Sequence, residues 1–149
     1  MLQGKMSEQV AVVAKLLTDN PFILVDTEKY TGYVDMSKFE QVMFIAMVGD
    51  VNDKTFVGKV YESILGAGSD NATALVAWFS LAAHATDNDN TMYVCTVRRR
   101  SLTDTYRYVR AGVLSQAAQD GEVAVIAVAA NPNYEPAANN DDAAVTIKQ

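Results

Sequence analysis

The chain has one cysteine, one histidine and three prolines among its 149 residues. A single cysteine excludes an internal disulfide and any cysteine-based zinc site, and a single histidine excludes a poly-histidine metal centre. A chain of this length can bury about 68–70% of its unfolded surface, so its core needs no such staple. We therefore expect one folded domain with no metal and no cofactor.

Long apolar runs are also missing from the sequence. The N-terminal segment is interrupted by Ser7, Glu8 and Gln9, whereas a signal peptide has an unbroken apolar region. The longest nearly apolar stretch, residues 74–85, has only twelve residues. A helix of that length does not cross the roughly 30 Å of a bilayer's hydrocarbon core. We expect a protein that is made in the cytoplasm and has no membrane partner.

Positive charge is scarce overall and concentrated in one place. The formal net charge is −6 and the pI is about 4.6, which argues against a protein that coats nucleic acid, and we expect no specific nucleic-acid partner. Residues 95–115 nevertheless carry five arginines and one acid, Asp104. Two interpretations stay open. The arginines form a patch for an acidic partner surface, or they pair with acids inside the same fold.

Catalytic and ligand-binding motifs are not evident. Cys95 and His84 could approach one another, but no helix N-terminus or glycine-rich turn is available to activate the thiol. Residues 87–98 lack the glycine and glutamate that an EF-hand loop requires, and Gly66-Ala67-Gly68 is not followed by a phosphate-binding Gly-Lys-Ser/Thr. We expect that the protein is not an enzyme.

Strand signals recur along the chain, with turn-forming clusters between them. In residues 105–114, Val109, Ala111 and Val113 share one face and Tyr106, Tyr108 and Arg110 share the other, as a half-buried strand requires. Short strands separated by turns every 8–12 residues are typical of a sandwich or barrel. The sequence predicts an all-β, antiparallel β-sandwich or jelly-roll-like fold of about eight strands. The candidate strands are Phe22–Asp26, Thr31–Asp35, Val42–Val48, Thr55–Ile64, Val76–Ala85, Thr91–Arg98, Thr105–Leu114 and Glu122–Val128.

Two of these segments carry more specific expectations. Residues 74–85 are rich in alanine, which favours a helix, but their spacing from Thr91–Arg98 fits two hairpin strands joined by the turn at residues 87–90. We therefore predict a strand there, paired with Thr91–Arg98. Val42–Val48 has no polar face, so we expect both of its sides to be covered.

The two ends of the chain differ from its middle. We divide the sequence into an N-terminal arm (residues 1–28), a β-sandwich domain (29–130) and a C-terminal arm (131–149). Each arm ends in or contains a short apolar piece that could bind a neighbour by adding a strand to its edge, and frayed chain ends are the alternative interpretation. The residues that we expect to bind a partner are Val10, Val12, Val13, Leu16, Leu17, Arg98, Arg99, Arg100, Val145 and Ile147.

The segment from Tyr33 to Pro136 resembles small β-sandwich structural proteins of tailed-bacteriophage virions. No single motif is specific, and the resemblance rests on the order of several pieces along about two-thirds of the chain. These pieces are Val34–Phe44, Lys59–Ser63, Ala85–Asn90, Ser101–Tyr106, Val109–Ala111 and Asn131–Pro136.

The resemblance implies a capsid decoration, or cement, protein. Such a protein sits on the outside of an HK97-fold shell, often as a homotrimer, with the major capsid protein and neighbouring copies of itself as partners. It is located on the capsid surface of the virion. The resemblance supplies no catalytic residue. Two alternatives remain: a neck or tail protein, such as a head-completion or tail-tube subunit, and a module that binds a carbohydrate or a receptor.

Overall fold

The computed structural model describes residues 10–17, 28–49, 55–67, 72–81, 91–115 and 123–132. In these ranges the backbone forms nine β-strands and one 3-10 turn. The strands are β1 (Val10–Leu17), β2 (Glu28–Tyr30), β3 (Val34–Asp35), β4 (Phe39–Val48), β5 (Phe56–Ser63), β6 (Thr73–Leu81), β7 (Thr91–Arg98), β8 (Tyr108–Ser115) and β9 (Val123–Pro132). No helix in the described ranges is long and apolar enough to span a membrane.

The strands form two antiparallel sheets. One has four strands in the order β1-β9-β4-β7, and the other has five, with the order β2-β8-β5-β6 and β3 also paired with β8. Every strand pairing is antiparallel. The prediction of an all-β antiparallel sandwich is confirmed.

The core lies between the sheets and is built from alternate residues of each strand. Val109, Ala111 and Val113 of β8 are fully buried, as their predicted shared face requires. On β5 the same alternation buries Phe56 and Val60. The other buried apolar residues include Val42, Phe44, Ala46 and Val48 of β4 and Val123, Val125, Ala127 and Ala129 of β9.

The predicted hairpin between residues 74–85 and Thr91–Arg98 is wrong. β6 pairs with β5 and β7 pairs with β4, so the two strands are edges of opposite sheets. They meet across the core instead, where the Phe79 and Tyr93 rings stack with centroids 4.8 Å apart. Two adjacent residues of β6, Trp78 and Phe79, both contact the core, and this strand therefore lacks the simple alternation of a hairpin strand.

Phe79 fits because its cross-strand neighbour is Gly58. A Cβ atom at position 58 would overlap the Phe79 ring, so the missing side chain leaves the space that the ring fills. This pair joins β5 to the edge strand β6 and places the Phe79 ring in the core.

The expectation that β4 is covered on both sides is also wrong. Its inward residues are buried, but on the other side Met47 is 40% exposed. No further layer of the described structure lies over that face, because both sheets use their other faces to form the one core.

The predicted arms overlap the sandwich at both ends. β1 lies within residues 1–28 and pairs with β9 along its length. β9 itself continues to Pro132, inside the segment 131–149. The predicted strand at Phe22–Asp26 lies outside the described residues.

Candidate interaction surfaces

Residues 98–107 carry four of the five clustered arginines and connect β7 in one sheet to β8 in the other. The connection begins with a 3-10 turn at Arg99–Ser101, where the Leu102 N–H donates to the Arg99 carbonyl at 3.2 Å. Arg98, Arg99 and Arg100 are all exposed. The strand predicted to begin at Thr105 therefore begins later, at Tyr108.

A buried carboxylate fixes this connection to β5. Glu62 is only 3% exposed, and it accepts the Thr103 N–H at 2.9 Å and the Thr103 hydroxyl at 2.5 Å. The Arg107 N–H then donates to the Ser63 carbonyl at 3.1 Å. Between these anchors Thr105 adopts a φ of 79°, a left-handed conformation that is uncommon for a residue with a side chain. The arginine turn is thus held in one place by contacts to the neighbouring sheet.

Arg107 is committed to an internal ion pair. Its guanidinium donates two hydrogen bonds to Asp35, at 2.7 and 2.5 Å, and the Ser37 N–H donates a third at 2.9 Å. Burial by itself raises the pKa of Asp35, but these hydrogen bonds outweigh it and lower that pKa to about 2. Arg107 is therefore unavailable as a partner-binding cation without breaking this pair.

Arg110 is buried against tyrosines. It is 7% exposed, and its guanidinium carbon lies 3.8 Å from the Tyr30 ring centroid and 4.7 Å from that of Tyr33. Its Nε has no hydrogen-bond acceptor among the described residues. Among the described residues Arg110 has no ion-pair partner, and stacking on the electron-rich ring faces stabilises the cation.

The remaining arginines differ from these two. Arg99 lies 4.0 Å from Glu40, and both side chains are about half exposed, at 52% and 56%. Arg98 and Arg100 make no ion pair with a described residue. Pairing with an acid of the same fold is confirmed for Arg107 and, through an exposed contact, for Arg99, whereas Arg110 stacks on tyrosines. Partner binding by Arg98, Arg99 and Arg100 stays a prediction.

An open groove of about 550 Å³ lies beside the turn. Its walls carry both signs of charge, from Arg99 and Arg100 on one hand and Glu40 and Asp104 on the other.

The outer face of the four-stranded sheet is apolar and exposed. Met47, Met92 and Val94, which we call the outer apolar patch, are 40%, 60% and 53% exposed. Met47 and Met92 are directly opposite one another on β4 and β7, and Val94 is opposite the half-buried Ile45. Arg98 lies on the same face of β7, because residues two apart in a strand point the same way. The patch and the start of the arginine turn therefore lie on one face of β7, with the exposed Thr96 between Val94 and Arg98.

A tyrosine-arginine cluster covers the outer face of the other sheet, and sequence reasoning missed it. The cluster comprises Glu28, Tyr30, Tyr33, Tyr61 and Arg110. The Tyr61 hydroxyl lies 2.7 and 2.8 Å from the two Glu28 carboxylate oxygens, and the Tyr30 hydroxyl donates to the same carboxylate at 3.0 Å. The pKa of Tyr61 and that of Tyr30 are both raised, mainly by burial and secondly by these hydrogen bonds to Glu28.

A partial signal for this cluster was present in the sequence. Glu28 and Tyr30 are two residues apart and so share a face of a strand, and Tyr108 and Arg110 repeat this spacing. No pattern in the sequence, however, pairs β2 with β8.

The other predicted partner-binding residues lie near the chain ends. Val10, Val12, Val13, Leu16 and Leu17 belong to β1, an edge strand whose pairing with β9 shifts register between Val12 and Ala14. Their side chains are not described. Val145 and Ile147 lie outside the described residues.

Cys95 and His84 are the two side chains that the sequence offered as a possible catalytic pair. Cys95 is half-buried, and burial raises the pKa of its thiol, which disfavours the thiolate. His84 lies outside the described residues. No group of three or more metal-ligating side chains is found within them.

Comparisons of the chain with protein-family models and with curated proteins give no match. The resemblance to virion structural proteins therefore remains a prediction that rests on the sequence pieces given above.

Proposed function

We propose that this chain is a structural protein of a tailed-bacteriophage virion and acts as a decoration protein on the outside of the capsid. One observation supports this role most directly: the outer apolar patch lies on the same face of β7 as Arg98, where the exposed turn of Arg98, Arg99 and Arg100 begins. An apolar centre beside cationic groups is the composition of a surface that binds another protein.

The apolar patch and the arginines contribute to binding in different ways. Burying Met47, Met92 and Val94 gives the association its free energy, since apolar area removed from water contributes about 25 cal/mol per Å² before the cost of ordering. The three arginines orient the chain on an acidic capsid surface and accelerate encounter. Glu62 holds the segment after the arginine turn in place through Thr103. Little conformational freedom of the turn is therefore lost when the chain binds the capsid.

The test is cryo-electron microscopy of the virion that encodes this chain, with protein masses and copy numbers measured on the same particles. We expect density on the outer shell, in a copy number comparable to that of the major capsid protein. Density confined to the neck or tail would replace the decoration role with the alternative virion role. Absence of the chain from the particle would overturn the proposal.

A matched pair of variants tests the arginine turn. Replacing Arg98, Arg99 and Arg100 together by serine should weaken binding to particles, and most strongly at low salt, because salt screens exposed charges. The control is Lys59→Ser, which removes a charge from the five-stranded sheet and should leave binding unchanged. Equal losses for both variants, or a loss independent of salt, would contradict an electrostatic role of the turn.

A further inference from the structure

We propose that the guanidinium of Arg110 is a binding site for a carboxylate, which enters beside the rings of Tyr30 and Tyr33 on the outer face of the five-stranded sheet. The carboxylate belongs to a free small acid or to an aspartate or glutamate of a neighbouring protein. The site goes beyond the function given above and does not depend on it, because it shares no residue with the outer apolar patch or the arginine turn.

Arg110 is a buried cation without a counter-ion in the described part of the chain. Its side chain is 7% exposed, its Nε has no hydrogen-bond acceptor, and it forms no ion pair with a described residue. Arginine keeps its charge throughout the pH range of a folded protein, so Arg110 does not reduce the cost of burial by losing a proton. Stacking on the tyrosine rings offsets part of that cost, and an anion would offset more of it.

Arg107, three residues earlier, shows how a guanidinium of this chain binds a carboxylate. Its Nε and Nη2 donate to the two oxygens of Asp35 at 2.7 and 2.5 Å. Such paired hydrogen bonds combine strength with a fixed geometry, because the planar fork of the guanidinium matches the two oxygens of a carboxylate. Arg110 carries the same group without a carboxylate from the described residues.

A ligand reaches Arg110 through its terminal nitrogens. Nε is the one nitrogen of this guanidinium that is fully buried without an acceptor, so the exposed part of the group includes the Nη atoms. The rings of Tyr30 and Tyr33 lie 3.8 and 4.7 Å from the guanidinium carbon and form the walls of the recess. A narrow recess between flat rings suits a small planar group with two oxygens.

Glu28 determines which anions the recess accepts. Its carboxylate accepts the Tyr61 and Tyr30 hydroxyls and forms no ion pair with Arg110. A negative charge in the same cluster repels a doubly charged anion more strongly than a singly charged one. The site therefore favours a carboxylate over sulfate or a phosphate dianion.

The absence of a side chain at Gly112 allows this arrangement. A Cβ atom at position 112 would overlap the Glu28 carboxylate and the Tyr30 ring. Gly112 is the cross-strand neighbour of Tyr30, so β2 can bring this ring down onto β8. The ring is then in place to stack with Arg110.

The test is an NMR titration of the wild-type, full-length chain with sodium acetate, which replaces sodium chloride at constant, mildly acidic pH and constant ionic strength. The Nε–H signal of each arginine is assigned through its own side-chain carbons, so no variant is needed. We expect a saturable shift at Arg110, with half-saturation at least about tenfold below that at Arg98 or Arg100. Arg107, which already binds Asp35, should shift little.

The exposed arginines make the titration decisive. Equal shifts at Arg98, Arg100 and Arg110 would indicate nonspecific pairing with any cation and would overturn the proposal. An unchanged Arg110 signal would overturn it as well. Sodium sulfate is the comparison ligand and should bind Arg110 at least about tenfold more weakly than acetate. Tighter binding of sulfate would contradict the assignment to a carboxylate.

Thermal unfolding gives an independent measurement. A ligand that binds only the folded state raises the melting temperature, and the general effect of acetate on folding is common to all variants. Replacing chloride by acetate should therefore raise the melting temperature of the wild type and of Arg98→Met more than that of Arg110→Met. Equal rises in all three proteins would contradict the proposal. If Arg110→Met does not fold, the NMR titration decides alone.

A blocked tripeptide with a central glutamate identifies the source of the carboxylate. Binding at Arg110 that is at least about tenfold tighter than that of acetate assigns the site to a neighbouring protein, and equal or weaker binding assigns it to a free small acid. The matched peptide with a central glutamine should not bind, and equal binding of the two peptides would overturn the proposal. These experiments use no virus particles, so their failure and the failure of the proposed function are distinguishable.

Discussion

The two sheets of the sandwich bury similar inner faces and present opposite outer faces. On the five-stranded sheet, hydrogen bonds and ring stacking tie Glu28, Tyr30, Tyr61 and Arg110 together and cover the backbone beneath them. On the four-stranded sheet, Met92 and Val94 are more than half exposed. The tyrosine-arginine cluster thus has its partners within the chain, whereas the side chains of the outer apolar patch are 40–60% exposed.

This difference separates stability from binding. Side chains of the tyrosine-arginine cluster have their partners inside the molecule, so their replacement should change the free energy of unfolding. Side chains of the outer apolar patch have few internal contacts, so their replacement should change association instead.

The largest expected effect is that of Arg110→Ala. It removes a buried cation from between two tyrosine rings and leaves a cavity, so we expect a loss of about 2–4 kcal/mol in the free energy of unfolding. Urea denaturation measures it. The control, Arg98→Ala, removes an exposed arginine and should change stability by less than about 0.5 kcal/mol. If both variants lose the same free energy of unfolding, the two outer faces do not differ in their contribution to stability.

Asp35→Asn should cost about 2 kcal/mol at neutral pH, because it weakens the bidentate pair with Arg107. The folded-state pKa of about 2 lies below the ordinary value of 3.8, so ionised Asp35 stabilises the fold above pH 4. This contribution is lost as the pH falls from about 4 to about 2. Unfolding measured across that range should show a steeper pH dependence for the wild type than for the variant. Parallel curves would contradict the assignment.

Glu62→Gln should have a smaller effect on stability, about 1–2 kcal/mol, because the amide keeps an acceptor for the Thr103 N–H but loses the charge. Its clearer signature is local. Hydrogen exchange at the Thr103 and Arg107 amides should accelerate, while amides of the β4–β9 ladder keep their protection. Uniform acceleration throughout the protein would indicate general destabilisation and no specific role in holding the arginine turn.

The smallest effect on stability is expected for Val94→Ser. The side chain is 53% exposed, so the free energy of unfolding should change by no more than about 0.5 kcal/mol. Particle binding should nevertheless weaken. Val97→Ser, at the buried position three residues along the same strand, is the comparison and should destabilise the fold. If Val94→Ser leaves association unchanged, the outer apolar patch is not an interface.

Strand bounds and buried faces could be predicted from the sequence where they depend on neighbouring residues of one strand. The bounds of β7 match the predicted Thr91–Arg98, and the buried face of β8 follows from the alternation of Val109, Ala111 and Val113. A period of two residues is encoded within a single strand, so no knowledge of its neighbours is needed.

Contacts between residues far apart in the chain could not be predicted from the sequence. Asp35 pairs with Arg107 across 72 positions and Glu62 holds Thr103 across 41, and nothing local indicates either partner. The assignment of β6 and β7 to a hairpin was wrong for a related reason. Whether consecutive strands pair or cross to the other sheet depends on the packing of the entire core, and here the stacking of Phe79 on Tyr93 accompanies the crossing.

Because the Phe79 ring packs directly over Gly58, the residue allowed at one of these positions depends on the residue at the other. Any side chain at position 58 requires a smaller one at 79, and a smaller residue at 79 alone leaves a cavity above the glycine. Either change by itself should destabilise the fold, while the compensating pair should be tolerated. In a set of diverged relatives the two positions should therefore vary together, giving a record of the β5–β6 pairing that can be read from sequences alone.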